Sequence, residues 1–363
     1  MSTKGNANTN MDESLVGTRY KEWILTSELG FGGFGSVYKA QNTEEPTVYQ
    51  AIKVFKKADD AYAEINAIQK LGDINGVVKM LDSDSTDFGY VMTMDLFGIS
   101  LSTFRSLQPD KKFSPATSLR LLIKMTQIIT QVHSVGLIHC DIKPSNFVMK
   151  GNDEIVLIDF GLAESYMDLY GNKNVIKRDQ SFKGTLCYAA LNIHFGKSPS
   201  RADDITSAFF IYFENLLGTL PWSGLDESNT IKQKKIAFAK TEIYDYTQIK
   251  LQVISSFHSV LGLLNGEEPR YKMITSQLTE LLINDGNKVS PLFDVDEVKY
   301  LPQEDNPNDY KTTPISKLGS SSKKIVVTPR QSPTNEEMKE QLIPRIWKAV
   351  SMFNPTRISL PFL

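Results

Sequence analysis

Two short polar segments carry side chains that together suit the transfer of a phosphoryl group. The first contains Asp141, Lys143 and Asn146 in the pattern D-x-K-x-x-N, and the second is a D-F-G turn that begins at Asp159. In phosphoryl transfer, one carboxylate accepts the proton of the attacking hydroxyl, a lysine neutralises charge, and an amide and a second carboxylate bind Mg²⁺. Two unrelated surface turns are the alternative, and the spacing of the two patterns argues against it.

A glycine-rich loop lies between two strand-like runs near the start of the chain. Its glycines, Gly30, Gly32 and Gly35, form the pattern G-x-G-x-x-G, which is a weak signal alone because dinucleotide-binding folds also use it. There the glycines open a helix, whereas residues 36–40 continue as a strand. The loop is therefore predicted to be a hairpin tip that can place N–H groups over phosphates, with Val37 over a purine ring. A hairpin without a ligand remains open here.

Lys53 lies inside the β-branched run 48–55, where a lysine normally faces solvent. In a nucleotide cleft it would instead contact phosphates and pair with a carboxylate. Glu64 is the candidate partner, because it lies at the edge of the apolar stripe of a predicted helix at 59–71. Asp59 or Asp60 is the predicted N-cap of this helix.

The periodicity of apolar residues predicts a small sheet with one helix, followed by a region that is mostly helical. The helix near residue 210 is apolar nearly all round, so we expect it to be buried. The predicted strands are 19–29, 36–40, 48–55, 77–82 and 90–94, and the further predicted helices are 115–135, 204–217, 229–240, 246–264 and 271–282.

Composition places the chain among globular proteins with a sizeable core, since 41% of its 363 residues are hydrophobic and 23% are charged. The net charge of −2 gives no electrostatic footprint for nucleic acid or an anionic membrane. No apolar run approaches the ~20 residues of a membrane span. The four histidines show no metal-ligand spacing. Two cysteines and no apolar signal core favour a reducing compartment, and we expect a cytoplasmic and/or nuclear location.

Both ends of the chain lack the pattern of a packed domain. Residues 1–18 are predicted to be a disordered tail, and residues 300–335 a flexible linker. Residues 336–363 hold a predicted amphipathic helix and a tail, and Pro344 must kink or split that helix. Docking of this helix onto the preceding domain and binding of a partner are equal alternatives.

Taken in order, these motifs resemble those of eukaryotic protein kinases, from residue 19 to about 294. Residues 184–194, G-T-L-C-Y-A-A-L-N-I-H, are similar to a stretch typical of the casein kinase 1 branch, which includes the tau-tubulin and vaccinia-related kinases. Residues 200–204 and 220–225 match that branch as well. The resemblance implies an α+β bilobal kinase fold, and its parts are an N-lobe with a small sheet and one helix at 19–94, a hinge at 95–98 and a mostly helical C-lobe at 99–299.

The resemblance implies a serine/threonine protein kinase that uses ATP and Mg²⁺ and acts on protein substrates. Asp141 would be the catalytic base and Lys143 the cation at the γ-phosphate. Asn146 and Asp159 would bind Mg²⁺, and Thr185 would help to hold the base and the acceptor. In most tyrosine kinases the position of Lys143 differs.

The resemblance also implies an ATP pocket and its support. Lys53 would contact the α- and β-phosphates and pair with Glu64, Met94 would guard the back of the pocket, and the buried Asp204 would steady the catalytic loop. The residues implied to bind ATP are Leu29, Gly30, Gly32, Gly33, Phe34, Gly35, Val37, Ala51, Lys53, Glu64, Met94, Asp95, Leu96 and Phe97.

Two cysteines depart from the patterns that the resemblance supplies. Cys140 stands where many kinases have an arginine that meets an activation-loop phosphate, so we expect activity that does not depend on loop phosphorylation. Cys187 stands where casein kinase 1 proper has an arginine of an anion pocket, which puts a preference for pre-phosphorylated substrates in doubt. Lys177, Arg178 and Lys183 lie nearby and could compensate.

The competing hypothesis is a pseudokinase scaffold that binds protein partners without catalysis. The presence of Lys53, Asp141, Asn146 and Asp159 argues against it, because pseudokinases commonly lose at least one of these groups. A dinucleotide-dependent enzyme is a distant third, disfavoured by the strand after Gly35. We expect a monomer with no nucleic-acid or membrane partner.

Overall fold

A six-stranded antiparallel sheet forms the first part of the structure, a computed structural model that describes residues 14–167, 181–263 and 267–301. The strands are β1 (Arg19–Tyr20), β2 (Trp23–Phe31), β3 (Gly35–Asn42), β4 (Tyr49–Phe55), β5 (Met80–Thr86) and β6 (Gly89–Asp95). They pair in the order β1-β2-β3-β4-β6-β5. Strand β3 follows the glycine-rich loop directly, which confirms that the loop is a hairpin tip rather than the start of a helix.

The strand predicted at 77–82 is displaced along the chain. Val77 and Val78 are buried outside the sheet, and the N–H of Val78 donates to the carbonyl of Leu157 at 2.9 Å. The sheet strand begins instead at Met80. The two valines form a buried connection to the second part of the chain, and burial on both sides gives them the same apolar signal as a strand.

Helix α1 (Ala58–Leu71) packs on this sheet, against β4, β5 and β6, at the predicted place. Lys57 is its N-cap, without a side-chain capping bond, so the prediction of Asp59 or Asp60 as the cap was wrong. The helix begins earlier, and both carboxylates lie in its first turn, where they interact favourably with the helix dipole.

The second part of the chain is mostly helical. The helix predicted at 246–264 begins only at Leu251 and ends at Leu261, because residues 246–249 form a turn closed by the N–H of Ile249 and the carbonyl of Tyr246. A 3₁₀ helix at Glu242–Asp245 precedes this turn. The helices are α2 (Leu101–Leu107), α3 (Pro115–Ser134), α4 (Leu191–His194), α5 (Arg201–Leu217), α6 (Ser228–Lys240), α7 (Leu251–Leu261), α8 (Tyr271–Asn284) and α9 (Val295–Val298).

Helix α5 is buried along its whole length except for its last residue. It begins three residues before the predicted start, because Ser200 and Asp203 form a capping box there. The burial of α5 confirms the prediction that this helix is buried. The small sheet with one helix and the mostly helical second part confirm the predicted bilobal fold.

Two short ribbons position the polar segments of the site. Strand β7 (Leu137–Ile138) pairs with β10 (Glu164–Ser165), and β8 (Phe147–Lys150) pairs with β9 (Glu154–Leu157). Residues 139–146 form the loop between β7 and β8, and Asp159 lies two residues after β9. A 3₁₀ turn at Pro144–Asn146 closes the loop.

One apolar core extends through both parts of the chain, and a smaller cluster covers the other face of the sheet. No helix in the described ranges is long and apolar enough to cross a membrane. Residues 1–13 of the predicted tail, the linker beyond 301 and the C-terminal helix lie outside the described residues. So do Lys177 and Arg178.

Candidate active site

A cleft of about 280 Å³ lies between the sheet and the helical part. Every residue implied to bind ATP lines this cleft except Gly33, which lies at the exposed tip of the hairpin. Lys143, Asn146 and Asp159 line its other side. Sequence reasoning did not name the apolar walls, because their side chains were assigned only to strands or loops, and these walls include Val78, Ile99, Val148 and Ile158.

Lys53 connects the two parts of the chain inside this cleft. Its Nζ lies 2.6 Å from Glu64 Oε2 on α1 and 2.9 Å from Asp159 Oδ1 after β9. Burial alone would lower the pKa of Lys53, but the carboxylates of Asp159 and Glu64 outweigh it and raise this pKa above its ordinary value. Burial likewise works against ionisation of Asp159, yet the Lys53 ammonium lowers the pKa of Asp159 to about 2. Lys53 and Asp159 therefore form an ionised pair at neutral pH.

The side chain of Asp141 is buried and held from both sides. Its Oδ2 lies 2.5 Å from Lys143 Nζ, and its Oδ1 accepts a hydrogen bond of 2.8 Å from Thr185 Oγ1. The amide of Asn146 donates to the backbone carbonyl of Asp141 at 2.9 Å. The structure thus brings together four of the five predicted catalytic residues, Asp141, Lys143 and Asn146 from one segment and Thr185 from another.

The backbone of the catalytic loop is fastened to α5 by one buried carboxylate. Asp204 Oδ2 accepts from the N–H of His139 at 2.8 Å, and its Oδ1 accepts from the N–H of Cys140 at 3.0 Å. Cys140 has a φ of +68°, a left-handed conformation that is strained for a side-chain-bearing residue. Asp204 therefore offsets a conformational cost directly beside Asp141.

His133 completes this support and was missed by the sequence reasoning. Its Nε2 lies 2.9 Å from Asp204 Oδ2, and its Nδ1 lies 2.8 Å from the hydroxyl of Tyr271 on α8. On α3, His133 directly follows the apolar position Val132. The spacing marked only the apolar stripe, so no sequence signal pointed to the histidine.

Two glycines are required by close backbone approach. A Cβ at Gly35 would lie 2.1 Å from the carbonyl oxygen of Val54, which no side chain can accommodate. Gly184 has a φ of +88°, and a Cβ there would lie 2.6 Å from the carbonyl oxygen of Cys140. Gly35 brings the hairpin against β4, and Gly184 brings the following Thr185 within reach of Asp141.

The donor atoms near the cleft suit a hard divalent cation. Asp159 is ionised, and Asn146 uses its Nδ2 to bond Asp141, so that its Oδ1 is the amide atom left for a cation. Carboxylate and amide oxygens are the ligands that Mg²⁺ prefers, and Mg²⁺ usually takes only one or two carboxylates and completes its shell with phosphates and water. In the described part of the chain, no three His, Cys, Asp or Glu side chains converge as a metal-binding group. Any Mg²⁺ here would therefore depend on substrate phosphates.

The thiols of the two cysteines near the site both have raised pKa values. Burial, together with the carboxylate of Asp204, raises the pKa of Cys140 well above its ordinary value. Burial also raises the pKa of Cys187 to about 11. Because the thiolate is the reactive form, neither residue is set up as a nucleophile.

Comparison with known proteins agrees with this geometry. The sequence model of the family described as "Protein kinase domain" matches residues 23–284. The chain is 31% identical to a probable serine/threonine-protein kinase of Dictyostelium discoideum over 75% of its length, and 29% identical to a casein kinase I homolog of Kluyveromyces lactis over 81%. Each match covers 56% of the relative, so the chain spans little more than half of either protein.

Proposed function

The chain belongs to the protein kinase domain family, and on that premise we propose that it transfers the γ-phosphate of ATP to serine or threonine hydroxyls of protein substrates. The observation that carries this proposal is the position of Asp141. Its carboxylate lies between Lys143 Nζ and Thr185 Oγ1, at the edge of a cleft that holds the Lys53–Asp159 pair. A base, two cations and a second carboxylate thus lie together in and beside one cleft.

The protein's own groups act mainly by position and charge. Asp141 orients the acceptor hydroxyl and accepts its proton, while Lys143 neutralises charge on the transferred phosphoryl group. Lys53, steadied by Glu64, binds the phosphates of ATP, and the hairpin over the cleft covers them. Asn146 and Asp159 would hold Mg²⁺, which supplies further neutralisation of phosphate charge when bound. Because these side chains already contact one another, little reorganisation is needed at the moment of transfer.

We also propose that activity does not require phosphorylation of the loop after the D-F-G turn. Position 140 holds a cysteine instead of a cationic arginine, and the raised pKa of the Cys140 thiol keeps this side chain neutral. The ends of that loop are joined instead by an ion pair between Lys183 and Glu164 on β10. This pair supports the segment just before Thr185 with charges that the protein itself carries.

Membership of the casein kinase 1 branch is part of the proposal, with no strong preference for pre-phosphorylated substrates. The stretch 184–194 and the likeness to a casein kinase I homolog support the branch. Against a phosphate pocket, Cys187 is a neutral thiol, and the nearby Lys183 is already paired with Glu164. A monomer in the cytoplasm and/or nucleus, without nucleic-acid or membrane partners, remains our proposal from the composition.

Phosphate transfer from ATP to a generic acidic protein tests the proposal. Wild type is expected to transfer phosphate, and Asp141→Asn is expected to lose at least about a hundredfold in rate, the scale of general-base catalysis. Asp87→Asn, an exposed carboxylate on the same fold, is the matched control and should behave as wild type. Equal background-level transfer by wild type and Asp141→Asn would leave the pseudokinase scaffold as the better account.

Treatment with a protein phosphatase tests the loop proposal separately. The treated enzyme, freed of phosphatase, should retain the rate of the untreated enzyme. A large loss that is recovered on incubation with ATP would show that loop phosphorylation is needed after all. Kinetics on paired peptides with and without a priming phosphate test the proposed lack of preference for pre-phosphorylated substrates. A strong preference for the primed peptide would contradict that proposal.

A further inference from the structure

Four consecutive backbone carbonyls after Thr185 are each held by a side chain from the helical part. The carbonyls of Leu186 and Ala189 accept hydrogen bonds of 2.7 Å from Lys235 Nζ. Between them, Cys187 accepts from the indole N–H of Trp222 at 2.7 Å and Tyr188 accepts from Ser207 Oγ at 2.8 Å, and we call these four residues the carbonyl segment. Because all four carbonyls accept from side chains of other elements, the shape of this segment is specified from outside it.

Lys235 on α6 holds the two ends of the carbonyl segment and is itself fully buried. Besides the two carbonyls, its Nζ lies 3.2 Å from His194 Nε2 on α4. These three acceptors match the three N–H groups of an ammonium. Within the described ranges, no carboxylate lies close enough to form an ion pair with it. Aromatic rings of Phe210 and Trp222 surround the amine instead.

Burying a lysine without a counter-ion is costly, and a neutral side chain of the same length would fill the space more cheaply. The ammonium therefore requires a role that packing alone does not explain. The position of the carbonyl segment supplies one. Thr185, the residue immediately before it, donates to Asp141. Because the carbonyl segment follows Thr185 directly, it lies beside the place where a protein chain would offer a hydroxyl to Asp141.

We infer that Lys235 is a positioning residue for the protein acceptor, acting through the carbonyl segment that its ammonium holds in shape. The acceptor residues next to the phosphorylated serine or threonine lie against this segment. Lys235 itself touches neither the acceptor nor ATP. This inference rests on the proposed kinase function and adds to it a determinant of acceptor binding.

The groups around Lys235 give the inference a pH dependence. Burial lowers the pKa of Lys235 to about 7, and burial and the nearby Lys235 lower the pKa of His194 to about 3, so the histidine is neutral. An ammonium can only donate, so with Lys235 protonated Nε2 of His194 accepts and the ring proton lies on Nδ1, which faces Ser228 Oγ at 3.3 Å. Cys187 stays protonated, and Lys232, a turn earlier on α6, adds positive charge near His194. Further along, Tyr188 donates to Glu214, which is paired with Arg105. Above neutral pH, Lys235 therefore loses the proton that its third acceptor requires.

Steady-state kinetics on Lys235→Met test the inference, since methionine keeps the volume but donates no hydrogen bond. The probe is a synthetic acidic peptide with one serine. We expect its KM to rise about tenfold, the equivalent of about one or two lost hydrogen bonds. The KM for ATP and the rate of ATP hydrolysis without peptide should stay within about twofold. The exposed neighbour Lys234→Met is the matched control and should leave all three values unchanged.

A pH series adds a readout that a purely structural lysine would not change. The ratio of peptide kcat/KM to the rate of ATP hydrolysis should fall above about pH 7 in wild type and should be flat in Lys235→Met. Should Lys235→Met fail to fold, His194 takes its place. His194→Leu removes the third acceptor and should raise peptide KM, and His194→Gln, whose amide oxygen accepts, should restore it.

An unchanged peptide KM in folded Lys235→Met would overturn the inference, and so would equal peptide KM values in the two His194 variants. Either result would leave the proposed function intact, because wild type would still transfer phosphate to the peptide. Absence of transfer by wild type would instead refute the proposed function itself.

Discussion

Replacement of Asp204 by asparagine should separate the support of the catalytic loop from the chemistry of the cleft. The carboxylate accepts three donors, which are the N–H groups of His139 and Cys140 and the Nε2 of His133. An asparagine has one oxygen. In its best orientation it keeps the two donors at the Oδ2 position and turns its NH₂ group towards the N–H of Cys140.

The magnitude follows from that geometry. A buried N–H left facing another donor costs about 1–3 kcal/mol, and the two remaining bonds lose the extra strength of a charged acceptor, about 1 kcal/mol. Cys140 then keeps its left-handed φ of +68° without compensation. We expect Asp204→Asn to lower the free energy of unfolding by about 2–4 kcal/mol. We also expect kcat to fall about 10- to 100-fold, because Asp141 follows the freed residue.

Urea denaturation and steady-state kinetics on the same preparation measure both effects. The KM for ATP should hardly change, since Asp204 does not line the cleft. Asp203→Asn is the matched control: its carboxylate caps α5 through Ser200, so it should lose stability of about 1 kcal/mol while kcat is preserved. An unchanged kcat in folded Asp204→Asn, or an equal fall in the control, would refute the reasoning.

Three further outcomes are expected. Gly184→Ala should lose about 2 kcal/mol of stability and most of its kcat, since a Cβ at φ +88° would press on the carbonyl of Cys140; urea melts and initial rates check this. Glu64→Gln should raise the KM for ATP about tenfold, because Lys53 keeps only Asp159 as an anionic partner, and nucleotide titration measures it. Stability of wild type relative to Lys235→Met should rise by about 1.4 kcal/mol per pH unit above pH 7. The folded pKa of about 7 lies below the unfolded value of 10.5, so the unfolded chain binds more protons in that window, and a flat difference in urea melts from pH 7 to 9 would contradict it.

Spacing along the chain predicted the groups that are close in sequence. Asp141, Lys143 and Asn146 lie in one loop, so their order nearly fixes their geometry. Lys53 and Glu64 required one further step, the recognition that a strand and the next helix pack together. The strand after Gly35 was a local signal too, and it correctly excluded the helix of a dinucleotide fold.

The remaining parts of the site depend on contacts that no local pattern records. His133 and Asp204 are 71 residues apart, and Lys235 is 49 residues from Leu186. In the sequence, Lys235 is one of several lysines on an amphipathic helix, where a solvent-exposed position is the usual outcome. Its burial is decided by how α6 packs against the carbonyl segment. The predicted start of helix α7 at residue 246 was wrong for the converse reason. The turn before Leu251 carries apolar residues at helical spacing, so the pattern predicted a helix there.

Helix α5 has a consequence for how the molecule opens. From its buried surface, Asp204 binds the backbone of the catalytic loop, Ser207 binds the carbonyl of Tyr188, and Glu214 binds its hydroxyl. The amides of His139 and Cys140 can then exchange with deuterium only when α5 itself leaves the core. Functional loops usually belong to the least protected parts of a protein. Here the loop that carries Asp141 should be among the slowest to exchange, in the same cooperative unit as the deepest helix, while the hairpin at Gly33 exchanges early.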